Sequence, residues 1–431
     1  MSLTQPPAQA PTAVSERTYS RLKWRMLLAA MFCYLFFYTG RQTFGFAIPG
    51  IQADLGLSKT TLGAISGALL WSYAVGQMVN GNLADKLGGR RLMALGAVLS
   101  TILNWCTSFA VGARSLAVFW GANGFVQAMG WPSGGRVISN WWGPHERGRS
   151  FGFYTFAAGL SSVLAFVTST LVVGVFELDW HWIFRIPVLL MLVGGITFYL
   201  LARENPAEAK ITPPASATGR ERVEPAAETA DTSRSLGRYK SVLAIPKIWL
   251  TGVAIGFQNA ARYGLLIWVP VYFLGADWKE GGGTIDPIWI SVALPVGMAV
   301  GALTNGQLSD RLFGSRRDLP IVLFMAAGSV AAMTMYLAEL GTVAGIVVLF
   351  LTGFFVYGPQ SSFWALCPDI AGKLMAGTAV GVVNFFAYLF AGAAEPLIGR
   401  FMDHTGDTSL IFPIVATCCA CSALTALTIR R

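Results

Sequence analysis

The sequence predicts an all-α membrane protein of twelve transmembrane helices, arranged as two pseudosymmetric six-helix bundles. Three observations predict it: a composition poor in charge, apolar runs that fall six and six around one polar break, and a loop pattern that recurs in both halves. Of the 431 residues, 54% are hydrophobic and only 12% are charged, against about 25% charged in a soluble domain. So few charges could not cover a water-exposed surface of this size, which argues against a soluble enzyme, a nucleic-acid binder or a secreted scaffold. Twelve spanning helices of roughly 20 residues use about 240 residues, leaving short loops and one longer connector. The net charge of +9 sits in short loops between apolar runs and is read as a topology signal, not as a nucleic-acid footprint. The six cysteines lie mostly within apolar stretches and show no metal-ligand spacing, so neither a metal nor another cofactor is expected.

Residues 1–23 form a polar tail rich in Pro, Ala, Ser and Thr, without the apolar core and cleavage site of a signal peptide. Apolar runs follow at about 24–50, 60–83, 92–110, 114–137, 150–175 and 183–203, which make an N-terminal bundle over 24–203. Residues 204–246, rich in Pro, Ala, Glu, Thr and Arg, cannot build an apolar core and read as a flexible, solvated linker. Runs resume at about 247–275, 288–309, 319–338, 342–365, 376–400 and 409–429, giving a C-terminal bundle over 247–431. Lys and Arg collect on one side: Arg21, Lys23 and Arg25, then Lys86, Arg90 and Arg91, then Arg147 and Arg149, the linker, Arg311, Arg316, Arg317 and Lys373. The opposite loops carry Glu177, Asp179, Asp277, Glu280, Asp286, Asp403 and Asp407. Both termini and the linker are therefore expected in the cytoplasm, with the chain a multi-pass protein of the inner (plasma) membrane in contact with the lipid bilayer.

The halves repeat each other. Gly81-Asn82-Leu83-Ala84-Asp85, leading into Arg90-Arg91, recurs as Gly306-Gln307-Leu308-Ser309-Asp310, leading into Arg316-Arg317, 225 residues later. Gly permits close helix approach and a sharp loop, and a carboxylate can pair with Arg or with a helix N-terminus. Gly81, Asp85, Arg90, Arg91, Asp310, Arg316 and Arg317 are accordingly read as a latch that holds one conformation of two moving helix groups.

A charge inside an apolar span costs about 2.5–3.5 kcal/mol or more at the bilayer centre and usually marks function. Arg41 lies near the middle of span 1 and Arg262 at the midpoint of span 7, 221 residues apart and so at nearly equivalent positions of the two halves. No mid-span carboxylate stands ready to neutralise them. Arginine presents five donors in a planar fork suited to phosphate or carboxylate oxygens, so the pair points to a cavity for a small anion. Tyr38, Tyr73, Tyr357 and Tyr388 lie at the same levels and could supply apolar walls with a hydroxyl each. Glu395 on span 11 is read either as a proton-coupling carboxylate or as an interfacial residue paired with Arg400. No phosphate-binding Gly-rich loop and no catalytic Ser, Cys or metal constellation occurs, so neither ATP-driven pumping nor enzymatic activity is expected.

Twelve spans in two halves with this loop pattern resemble the major facilitator superfamily. The stretch FFYTGRQTFGFAIP around Arg41, Gly130-Trp131-Pro132-Ser133-Gly134-Gly135-Arg136, Trp141-Trp142 with Glu146-Arg147-Gly148, Arg262-Tyr263-Gly264 with Trp268 and Pro270, and Tyr357-Gly358-Pro359-Gln360 narrow the resemblance to the organophosphate:phosphate antiporter family. The resemblance implies that Arg41 and Arg262 bind a phosphoryl group and that Tyr38, Tyr73, Tyr357 and Tyr388 line the cavity. Gln42 and Gln77 stand where glycerol-3-phosphate carriers of the family have Lys, and Ala158 where they have His. The cavity is thus less positive, which favours a monoanion or a small dianion, including phosphonates and phosphodiesters.

The expected function is secondary active transport of an organophosphate or phosphonate in exchange for inorganic phosphate, by a chain read as a monomer. The alternatives are a proton-coupled symporter of a phosphonate, sulfonate or carboxylate, and a membrane sensor that binds ligand without carrying it.

Overall fold

The computed structural model describes residues 12–143, 146–214, 232–274, 287–311, 313, 317–338, 342–372 and 375–429. Among them the N-terminal half makes six passes. The first is broken into α1 (Glu16–Phe37) and α2 (Phe44–Leu55). α3 (Lys59–Leu87) and α4 (Gly89–Ser108) follow, then a fourth pass broken into α5 (Ala113–Gln127) and α6 (Gly130–Trp141). α7 (Arg147–Thr170) runs into a π turn over Leu171–Val175, and α8 (Trp180–Arg185) with α9 (Pro187–Leu201) completes the half. After the connector helix α10 (Thr232–Leu243), the C-terminal half repeats the plan. Its passes are α11 (Pro246–Phe273), α12 (Pro287–Arg311), α13 (Asp318–Leu337), a pass broken into α14 (Thr342–Tyr357) and α15 (Gln360–Ala371), α16 (Ala376–Thr405) and α17 (Ile411–Leu427).

Local chemistry sets these limits. Ser15 and Ser58 cap α1 and α3 by accepting from the amides of Thr18 and Thr61, and Pro187 opens α9 where a missing N–H costs nothing. By length and apolarity alone, seven helices among the described residues could cross a membrane. The passes outside that set carry many of the buried polar residues: Arg41 in the first, Asn104 in the third, Asn123 and Gln127 in the fourth, Gln258, Asn259 and Arg262 in the seventh and Asn305 in the eighth.

The halves meet along α3 against α16, α2 against α11 and α7 against α12. At the end away from the linker the α3–α16 seam is tight. A Cβ on Gly63 would lie 2.3 Å from the Glu395 carbonyl oxygen, one on Gly67 2.4 Å from that of Gly392, and one on Gly399 2.2 Å from that of Lys59. Side chains are excluded there, and the two backbones touch.

Two sequence expectations change. The linker is not wholly solvated: Glu204 accepts hydrogen bonds from the Arg90 amide (2.9 Å), Arg136 Nε (2.7 Å) and Asn140 Nδ2 (3.0 Å to its carbonyl). Ile211–Thr212 also pair in parallel with Thr12–Ala13 of the tail, so tail and linker share one end of the molecule. The polar composition that argued against a core does not argue against docking on basic helix ends. In the latch segment, residues 81–87 are helical, and a Cβ on Gly81 would meet nothing within 4 Å. The tight glycine turn between Asp85 and the two arginines falls on Gly88 (φ 84°), and a close approach on Gly89, whose Cβ would lie 2.3 Å from the Ser133 carbonyl oxygen.

Candidate functional site

The first pass breaks where its charge sits. α1 ends at Phe37, a 3-10 turn covers Tyr38–Gly40, Arg41 leaves helical geometry (φ −145°, ψ −18°) and the helix resumes at Phe44. Arg41 is 5% exposed and lies within the bundle, not against lipid. Its guanidinium carbon stands 4.2 Å from the Tyr38 ring centre and 4.5 Å from that of Tyr73. Arg262, 4% exposed, stacks over Tyr357 (4.2 Å) and Tyr263 (5.1 Å). The rings favour the cations electrostatically without neutralising them.

One aromatic cluster joins both arginines. Tyr73 of α3 packs on Tyr388 of α16 with ring centres 4.5 Å apart, and the Tyr263 and Tyr388 hydroxyls are 3.4 Å apart. No carboxylate pairs with either guanidinium among the described residues, and Arg41 Nε and Nη1 and Arg262 Nε have no hydrogen-bond partner. Buried donors without acceptors are costly, and an anion between the arginines would satisfy them.

Of the predicted site residues, Arg41, Arg262, Tyr38, Tyr73, Tyr357 and Tyr388 come together. Gln42 is buried beside Arg41, with both amide atoms free. Gln77, one turn from Tyr73, is half-buried and makes no hydrogen bond among the described residues. Tyr263 is a member the expected set omitted, although it directly follows Arg262. Glu395 is fully buried, Arg400 is exposed, and no ion pair joins them among the described residues. Its Oε2 accepts from Trp268 Nε1 at 2.8 Å, and its Oε1 is free.

The expected latch is only partly described. Arg316 and the side chains of Asp85 and Asp310 lie outside the described residues. Arg91 is exposed. Arg90 donates from Nε to the Tyr199 carbonyl of α9 (2.9 Å) and from Nη1 to Glu208 of the linker. Arg317 donates to Ser309 Oγ (2.8 Å) and lies 3.9 Å from Asp369. A carboxylate clasp between the halves stands at the opposite end. Asp403 of α16 accepts from the Lys59 amide (2.9 Å), the Thr60 amide (2.7 Å) and the Thr60 hydroxyl (2.6 Å) at the start of α3.

Two broken helical bundles closing on a central pair of arginines define a membrane transporter of the major facilitator type. The chain belongs to the Major Facilitator Superfamily, whose family model matches residues 30–396. A bacterial homologue of the human lysosomal transporter Spinster, solved inward-facing and unoccupied, shares the fold with a TM-score of 0.71 at 16% identity, over 96% of this chain and 95% of that one. Within the superfamily the relatives are those of the organophosphate:phosphate antiporter family. The glycerol-3-phosphate transporter of Bacillus subtilis is 28% identical over 96% of this chain and 94% of its own. A probable hexose phosphate transport protein of Chlamydia pneumoniae is 25% identical over 95% and 91%.

Proposed function

We propose that this protein is a secondary active transporter that carries a small organophosphate or phosphonate across the inner membrane in exchange for inorganic phosphate. One observation carries the reading: two buried guanidinium groups, one from each half, share a tyrosine cage and hold free donors with no acid among the described residues to take them. Their combined charge matches a phosphate-type dianion, and the neutral Gln42 and Gln77 leave that balance unchanged. An anion bridging Arg41 and Arg262 ties the halves together at the pivot. Transport requires that it bind the closed intermediate more tightly than the open states, since a ligand with equal affinity for all states shifts nothing. The orientation with termini and linker in the cytoplasm, the monomeric state and a latch role for the linker-end motif belong to the same proposal.

Proteoliposomes test it. Vesicles loaded with phosphate, without a pH gradient, are expected to take up labelled organophosphate, and unloaded vesicles are not. Glu395 favours a second reading. A buried intramembrane carboxylate with one oxygen free marks a candidate proton-coupling site, so proton-coupled symport follows if water reaches Glu395 in another state. Uptake into unloaded vesicles driven by an inward proton gradient, lost in Glu395→Gln, would select that reading.

A further inference from the structure

In an unbroken helix the Gly40 carbonyl would accept from the amide of Phe44. Here the break leaves it without a backbone partner, and irregular backbone at membrane depth persists only where protein groups satisfy it. Two buried amides do so, Asn104 Nδ2 of α4 at 3.1 Å and Asn123 Nδ2 of α5 at 2.7 Å. Behind them runs a relay in one direction: Gln127 Nε2 donates to Ser100 Oγ (2.7 Å), and Ser100 Oγ donates to Asn123 Oδ1 (2.6 Å). That polarity fixes which face of the Asn123 amide carries hydrogens and turns them to Gly40, and successive bonds strengthen one another at low dielectric. Asn104 Nδ2 is held in turn by the Ser100 carbonyl at 2.8 Å. All four side chains are at most 2% exposed. A Cβ on residue 40 would come within 2.4 Å of Gln127 Nε2, so only glycine lets the relay close on the backbone. On the other side of the break the Tyr38 amide donates to Ser161 Oγ of α7 at 3.1 Å.

We propose that Ser100, Asn104, Asn123 and Gln127 are positioning residues that hold the first pass open at Gly40 and thereby aim Arg41 at the anion. The inference rests on the reading of Arg41 as an anion-binding residue. None of the four touches the arginine pair; they act through the carbonyl immediately before Arg41.

The test is a double-mutant cycle on purified protein, read as the apparent Kd for inorganic phosphate from ligand-dependent thermal stabilisation. Ser100→Ala is expected to weaken phosphate binding by about tenfold in the wild-type background and to have almost no effect in Arg41→Ala, because no guanidinium then remains to be aimed. In proteoliposomes the same variant should raise KM far more than it lowers kcat. Gln127→Met keeps the volume while removing the head of the relay; it should act in the same direction by about threefold and carries the test if Ser100→Ala does not fold. Equal losses in both backgrounds, or an unchanged Kd in both relay variants, would overturn the proposal while leaving the anion site intact. If Arg41→Ala itself binds phosphate like the wild type, the reading of the site fails, and this inference with it.

Discussion

Arg41 and Arg262 occupy near-equivalent positions in the two halves, yet the backbone delivers them differently. Arg41 sits in the break of the first pass, held by amides from α4 and α5. Arg262 sits within α11, a helix of 28 residues with no break at that point. The break that the C-terminal half does share is that of the tenth pass, the counterpart of the broken fourth, between Tyr357 and Gln360, where Pro359 withholds an N–H. There Gln258 of α11 donates to the Val356 carbonyl at 2.9 Å, and Asn259 Nδ2 holds Gln258 Oε1 at 2.8 Å. Both halves thus cap a broken helix with a buried amide beside the site. In one the broken helix carries the arginine, in the other it carries Tyr357. Duplicated sequence positions therefore do not imply duplicated backbone, and one arginine is mounted on a repairable break while the other is mounted on a rigid rod.

The largest effect expected is from the arginines themselves. Arg41→Lys and Arg262→Lys should each lower uptake by about 100-fold or more, with unliganded melting close to wild type, because a point charge does not replace a planar fork. Uptake assays on protein of matched yield decide it. Near-normal transport in one variant only would assign the grip to the other half and break the equivalence of the pair; near-normal transport in both would remove the mechanism.

Much of this was legible from the residues. Intramembrane charge is costly enough that Arg41 and Arg262 stand out in any apolar run, and the polar stretch over 204–246 stands out between the apolar runs. The break at Gly40 was not legible, because Thr39, Arg41, Gln42 and Thr43 read equally well as the polar face of an unbroken helix. Its support left a trace that could have been read: Ser100 with Asn104, and Asn123 with Gln127, are polar pairs four residues apart on apolar helices and hence on one face. Tyr263 was passed over because adjacency to Arg262 does not reveal where its ring lies. Asp403 looks like an ordinary loop acid from sequence, since the amides it caps are 343 and 344 residues away. The clasp of Asp403 lies at the end of the molecule opposite the Asp85 and Asp310 motifs, whose carboxylates are outside the described residues.

That clasp is where the two halves should be easiest to part. Asp403→Asn keeps the volume but weakens the cap on α3, a contribution of about 0.5–2 kcal/mol and so about 2- to 30-fold in the balance between closed and open far ends. Spin labels at Ala53 and His404, both exposed, should show a larger population at long distance in the variant. An unchanged distribution would mean that the glycine-lined α3–α16 seam alone keeps this end shut.

The smallest effect on function is expected from Gln258→Leu, and it is the one that sharpens the comparison most. Removing the amide leaves the Val356 carbonyl buried without its donor, at a cost of about 1–3 kcal/mol, which should appear as a lower melting temperature. Arg262 should hardly move, because the intact hydrogen-bond ladder of α11 fixes it and Gln258 supports a neighbouring pass instead. KM for the transported anion should change by less than about threefold, against the larger rise expected when Ser100 is replaced in the N-terminal half. A rise in KM equal to that of the Ser100 variant would show that Tyr357, which Gln258 helps to place, grips the anion as firmly as Arg41 does, and the rigid half would then depend on its polar support as much as the broken one.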